Sequence, residues 1–172
     1  MIIMYILFIV IILAIITFLY VDIETLKLYY PTIQAFLLFN FLYNFIFYKH
    51  TLWAYKPETP WLNHTLIEIL YSFIIIPLVI IVFLRFFPTG WKGVIYLIIW
   101  VFAFWLIEYD YSKRGSFSYD NNWNIWWSLL FNFVMFPFFK FHVKRPFLSL
   151  ICVLPVIVIL LLLFHPSFTE LK

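Results

Sequence analysis

"MIIMYILFIVIILAIITFLY", Met1 to Tyr20, is an apolar run without a charged residue. A helix of about 20 such residues crosses a hydrocarbon layer about 30 Å thick. The run has neither a basic front nor a small-residue cleavage site, so it is typical of a retained helix and not of a cleaved signal peptide. We therefore predict that these residues form a membrane-spanning helix.

Similar apolar blocks recur along the whole chain. Hydrophobic residues make up 66% of the 172 residues and charged residues only 11%, whereas soluble domains carry roughly 25% charged residues. Lipid offers the backbone no hydrogen-bond partner, and the alternating pattern of a membrane barrel is absent, so the blocks should be helices. We predict an all-α integral membrane bundle of six transmembrane helices in a single domain, with spans at residues 1–20, 30–48, 62–87, 91–109, 123–139 and 147–164.

The charged residues indicate orientation more than they indicate a partner. The net charge is +3, but the basic residues are scattered over the connections, so no nucleic-acid partner is predicted. The lipid bilayer is the expected partner, and a membrane-protein partner or a second copy of the chain stays open. If the cluster "KFHVKR", Lys140 to Arg145, is weighted by the positive-inside rule, both termini should lie outside.

Two halves of the chain resemble each other. "LLFNFLYNFIFYKH" from Leu37 is echoed by "LLFNFVMFPFFKFH" from Leu129, and "PLVIIVFLRFFP" from Pro77 by "PVIVILLLLFHP" from Pro155. If spans one to three match spans four to six, the second three-helix unit is inverted relative to the first, as in many transporters. Chance matching in a chain rich in Leu, Phe and Ile is the competing explanation.

Three amides lie inside predicted spans, where polar groups are costly. Asn40 and Asn44 are four residues apart and so share a helical face, and Asn132 is their counterpart in the fifth span. We predict that all three face the bundle interior. They either form hydrogen bonds between helices or line a ligand pocket.

The segment "NHTLIEIL", Asn63 to Leu70, brings an amide, an imidazole and a carboxylate to the front of the third span. Thr59 and Pro60 are typical of a helix start, so His64 and Glu68 should share a face within the first turns. Three interpretations stay open: a hydrogen-bonded pair at the membrane edge, a proton-handling or ligand-binding pair, and half of a metal site. Since a closed metal site needs three or four ligands, no metal is predicted.

Other unusual residues have simpler explanations. Pro77 should bend the third span and free a carbonyl near mid-membrane. Glu108 and Asp110 end the predicted fourth span and do not share a helical face, so we interpret them as interface residues. Aromatic residues reach 25% and cluster where Tyr and Trp favour the membrane interface. An aromatic cage for a cationic or sterol-like ligand is the alternative.

Four short motifs carry a resemblance to a known family: "YYPT" at Tyr29 to Thr32, "LYNF" at Leu42 to Phe45, "LW" at Leu52 and Trp53, and "NHTL" at Asn63 to Leu66. In this order and spacing they resemble a family of small multi-pass membrane proteins of spore-forming Gram-positive bacteria, to which no function has been assigned. The match covers mainly residues 29–80. The resemblance implies a bacterial cytoplasmic membrane or spore inner membrane, and no established substrate.

Two classes of function follow from these observations. The first is a protein that binds or transports a small or lipidic ligand at a polar cluster between spans two, three and five, formed by Asn40, Asn44, Asn63, His64, Glu68 and Asn132. The second is a structural or accessory membrane subunit of a spore or cell-envelope complex. A membrane enzyme ranks third, because the sequence contains no nucleotide loop, GxSxG or HExxH motif. No catalytic residue and no cofactor is predicted.

Overall fold

The computed structural model describes residues 2–56 and 64–164, with side chains from residue 7 onward. This part of the chain is mostly helical, as predicted. Three of its helices, α3, α4 and α6, are long and apolar enough to cross a membrane. The helices are α1 (Ile2–Tyr20), α2 (Ile23–Ile46), α3 (His64–Arg85), α4 (Trp91–Lys113), α5 (Ile125–Lys144) and α6 (Pro146–Phe164).

Several helices extend beyond the predicted spans because capping and charge, which hydropathy does not register, set their ends. Helix α2 begins before the predicted start at residue 30, since the Asp22 carboxylate accepts a hydrogen bond from the Thr25 N–H at 2.7 Å. Helix α4 continues past residue 109 to Lys113, and α5 continues past residue 139 to Lys144. The predicted start of the third span at Thr59 and Pro60 lies outside the described residues.

A two-stranded sheet, which the all-α prediction omits, closes one end of the bundle. Strand β1 (Trp53–Tyr55) lies between α2 and α3, and β2 (Phe117–Tyr119) lies between α4 and α5. The strands are antiparallel, with Trp53 opposite Tyr119 and Tyr55 opposite Phe117. We call this the strand end.

The opposite end is held by basic side chains. The Arg85 Nε donates a hydrogen bond to the Tyr20 carbonyl at 2.9 Å, joining the last residues of α3 and α1. The Lys140 ammonium lies 4.6 Å from the centre of the Phe87 ring, which brings α5 to the turn after α3. We call this the basic end.

Helix α3 is the centre of the bundle and packs against α1, α2 and α5. Its Phe83 is fully buried, and the ring contacts five other aromatic rings, those of Phe87, Tyr96, Trp100, Phe136 and Phe139. A buried hydrogen bond of 3.0 Å between Thr32 and His142 joins α2 to α5 near the basic end. The core therefore combines aromatic packing with a few polar links between helices.

A π turn lies just before Pro77, where the sequence predicts a bend. Helix α3 is α-helical over His64–Leu70, π-helical over Tyr71–Ile75 and α-helical again over Ile76–Arg85. Because Pro77 has no N–H and its ring crowds the preceding turn, the regular hydrogen-bond ladder cannot continue there. A π turn adds one residue, so the residues before it are rotated by roughly 100° from the positions of a regular helix.

Candidate functional site

The strand end contains a cavity of about 220 Å³ between helices α2 to α6. An engineered protein cavity of about 150 Å³ admits benzene, so this cavity has room for a molecule built on one ring. Its wall is mainly aromatic and aliphatic. The side chains that are neither aromatic nor aliphatic are Asn40, Glu68, Ser72, Glu108, Ser128 and Asn132, together with the thioether Met135.

Asn40 and Glu68 meet in this cavity. The Asn40 amide donates a hydrogen bond to the Ser72 Oγ at 2.7 Å, and that hydroxyl donates to the Glu68 carbonyl at 2.7 Å. The Asn40 side chain also interacts with the Glu68 carboxylate. Helix α2 therefore holds the carboxylate in place, directly before the π turn of α3.

The other two amides have different surroundings. Asn132 is only 5% exposed and lines the cavity, and its Nδ2 is buried without a hydrogen-bond partner among the described residues. Asn44 turns back onto its own helix, where its Nδ2 donates to the Asn40 carbonyl at 2.9 Å. Of the three predicted amides, Asn40 and Asn132 thus line the cavity.

His64 does not line the cavity, although it shares a helical face with Glu68. Its Nδ1 accepts a hydrogen bond from the Tyr55 N–H at 3.2 Å. Because Tyr55 lies at a non-hydrogen-bonded position of the two-stranded ladder, its N–H points away from β2 and needs another acceptor. His64 therefore bonds to β1, whereas Glu68 interacts with Asn40 of α2. Asn63 lies outside the described residues.

Glu108, which the sequence predicts to be an interface residue, lines the cavity. Its Oε1 accepts a hydrogen bond from the Tyr119 hydroxyl at 2.8 Å, and Ser128 interacts with the same carboxylate. The Trp123 Nε1 donates to the Ser128 Oγ at 2.9 Å, which orients that hydroxyl. The exposed carboxylate of Asp110 pairs instead with Arg114 at 2.7 Å.

An aromatic lid, formed by Trp53, Tyr55, Phe117 and Tyr119, comes from the two strands. The first three of these side chains line the cavity. Alternate residues of a strand point to the same face, and both "WAY" and "FSY" place aromatic residues at positions one and three. The Trp53 ring stacks on Tyr43 with centres 4.3 Å apart and an interplanar angle of 4°. This period-two pattern is the sequence signal that would have located the lid.

The lid tyrosines stay protonated. Burial raises the pKa of Tyr55 well above its usual value, and the nearby Tyr71, Glu68 and Glu108 add to that shift. Burial, followed by the negative charge of Glu108, also raises the pKa of Tyr119. A protonated phenol can donate a hydrogen bond to a carboxylate, and Tyr119 does so to Glu108.

The geometry is that of a mainly apolar cavity whose wall contains two carboxylates. Within residues 2–56 and 64–164, no three His, Cys, Asp or Glu side chains are close enough to hold a metal ion. Comparison with family models, with curated proteins and with solved structures finds no match for this chain.

Proposed function

We propose that this chain is a six-span membrane protein that binds, and moves across or within the membrane, a small or lipidic ligand held in the cavity at the strand end. One observation carries the proposal: Asn40, Glu68 and Asn132 come from three different helices and line the same cavity. Polar groups inside membrane spans are costly, and they usually face a pathway or a partner. The buried Nδ2 of Asn132 lacks a hydrogen-bond partner among the described residues, and a ligand can supply one.

Contacts at the two ends support six alternating spans. Pairing of β1 with β2 brings the connections after α2 and after α4 to one end. The last residues of α1 and α3 meet at the other end through Tyr20 and Arg85. Phe164, the last described residue of α6, packs at 5.0 Å from Trp123 near the strand end. The inverted three-helix repeat remains part of this proposal, as does the orientation with both termini outside.

Single cysteines test the topology. In a Cys152→Ser background, Lys56→Cys places a thiol at the strand end and Arg145→Cys places one at the basic end; both positions are exposed. We expect a membrane-impermeant maleimide to label position 56 on intact cells and position 145 only after permeabilisation. The reverse pattern would invert the orientation, and labelling of both positions on intact cells would exclude six spans.

A second pair of cysteines tests whether small molecules enter the cavity. In the same background, Asn132→Cys places a thiol in the cavity wall, whereas Ser149→Cys places one at a fully buried position outside the cavity. Since thiol labelling follows access, we expect N-ethylmaleimide to react at position 132 at least about tenfold faster than at position 149. Equal rates would contradict the proposal and would favour an accessory subunit with a dry core.

The cellular setting is also a proposal. The motifs at Tyr29 to Thr32 and Asn63 to Leu66 resemble those of the family of small multi-pass membrane proteins of spore-forming Gram-positive bacteria. A location in a bacterial cytoplasmic or spore inner membrane is consistent with helices long enough to span a bilayer.

A further inference from the structure

We propose that the cavity selects an organic cation, a quaternary ammonium or protonated amine attached to a single ring, and holds its charge between Glu68 and Glu108. This inference rests on the proposed function and names the class of ligand. It is argued from the charge of the wall, from its aromatic faces and from the buried amide.

The described residues that line the cavity beside the two carboxylates are all uncharged. Among the lining residues, all of which belong to the described part of the chain, there is no Lys, Arg or His. Glu108 is held by the hydroxyls of Tyr119 and Ser128, and Glu68 by the Asn40 amide. These neutral donors orient the carboxylates without cancelling their charge. A carboxylate removed from water either takes up a proton or needs a cation beside it, and a cationic ligand supplies the second of these.

Aromatic side chains line the same cavity as the two carboxylates. Tyr55 is within electrostatic reach of both Glu68 and Glu108, and its ring centre lies 5.8 Å from Tyr71 and 5.1 Å from Phe117. The face of an aromatic ring is partially negative because of the ring quadrupole, and it therefore attracts organic cations. A wall that combines carboxylates with aromatic rings favours a cation whose charge is diffuse and weakly hydrated.

The wall is less suited to an inorganic cation. Calcium takes six to eight oxygen ligands, and magnesium keeps several waters in a rigid octahedron, whereas most of this wall is hydrocarbon. Asn132 adds an independent sign of a ligand, because its amide is 5% exposed, lines the cavity and lacks a partner among the described residues.

A matched pair of probes tests the charge. Benzyltrimethylammonium has one ring and a quaternary nitrogen, and 2,2-dimethyl-1-phenylpropane has the same shape with carbon in place of that nitrogen. With purified full-length protein, we expect saturable binding of radiolabelled benzyltrimethylammonium. The neutral isostere should compete at least about tenfold more weakly, because it loses both the ionic and the cation–π contributions.

Three variants locate the charge. Glu68→Gln and Glu108→Gln should each weaken binding of the cation by about tenfold or more, since each removes one of the two carboxylates of the cavity wall. Asp110→Asn is the matched control, because Asp110 lies two residues from Glu108 but is not among the cavity residues, and it should bind like the wild type. Thermal melting of each variant verifies folding, and the competition in wild-type protein stands even if a variant misfolds.

The outcomes separate this inference from the proposed function. Equal competition by the isostere, or unchanged affinity in both glutamine variants, would overturn the organic cation while leaving a cavity that binds neutral ligands. Displacement of the probe by millimolar MgCl₂ at constant ionic strength would overturn it in favour of an inorganic cation. Absence of binding by both probes would also overturn it, and labelling at position 132 would then decide whether the cavity admits any small molecule.

Discussion

Phe83→Ala should lower the stability of the folded protein by about 3 kcal/mol, the largest loss that we expect from a single substitution. The side chain is fully buried in α3, and the ring contacts aromatic residues of α4 and α5. In water-soluble cores, Phe→Ala costs about 3–5 kcal/mol. The lower end applies here because lipid is as apolar as the core, so that most of the loss is lost packing.

Unfolding of purified protein by heat or by denaturing detergent measures this loss. Phe147→Ala is the control, since Phe147 is 83% exposed at the start of α6, and its removal should change the stability by less than about 0.5 kcal/mol. Equal destabilisation by both substitutions would mean that the α3 core does not dominate the fold.

Trp53→Ala should both destabilise the protein, by about 2–3 kcal/mol, and open the cavity. The indole stacks on Tyr43, packs 5.2 Å from Trp123 and forms part of the cavity wall. Without it the aromatic lid loses its link between β1 and α2. We therefore expect N-ethylmaleimide to react faster at position 132 when Trp53→Ala is combined with Asn132→Cys and Cys152→Ser.

The matched control for this change is Trp91→Ala. Trp91 is 70% exposed at the start of α4 and does not line the cavity, so its removal should leave the rate at position 132 unchanged. If Trp53→Ala left that rate unchanged as well, the lid would not limit access and ligands would have to enter elsewhere.

Hydropathy predicted where helices lie but not how long they are. The apolar blocks located all six helices, because burial in lipid and formation of a helix both follow from a long apolar run. The ends were less accurate, since Asp22 and Asn124 cap α2 and α5 outside the apolar blocks. The short strands were missed because their stability comes from pairing with a distant segment, which periodicity within one window does not detect.

The sequence predicted some of the residues of the candidate site and missed others. Asn40, Glu68 and Asn132 stood out because an amide or carboxylate in an apolar run is costly, and all three line the cavity. Glu108 was assigned to the interface because the fourth span was predicted to end at residue 109, whereas the helix continues to Lys113. His64 was expected beside Glu68 from their spacing, but the Tyr55 N–H, on a strand that we did not predict, occupies its Nδ1.

The pairing of β1 with β2 also fixes an order of events during synthesis. Ala54 and Ser118, which face each other in the ladder, are 64 residues apart in the chain. At about 5–20 residues per second, β1 waits for several seconds before its partner emerges from the ribosome. Throughout that interval the growing chain carries an unpaired strand edge, which is a site where other chains can pair. Newly made protein therefore exposes this strand edge to other chains between the synthesis of β1 and that of β2.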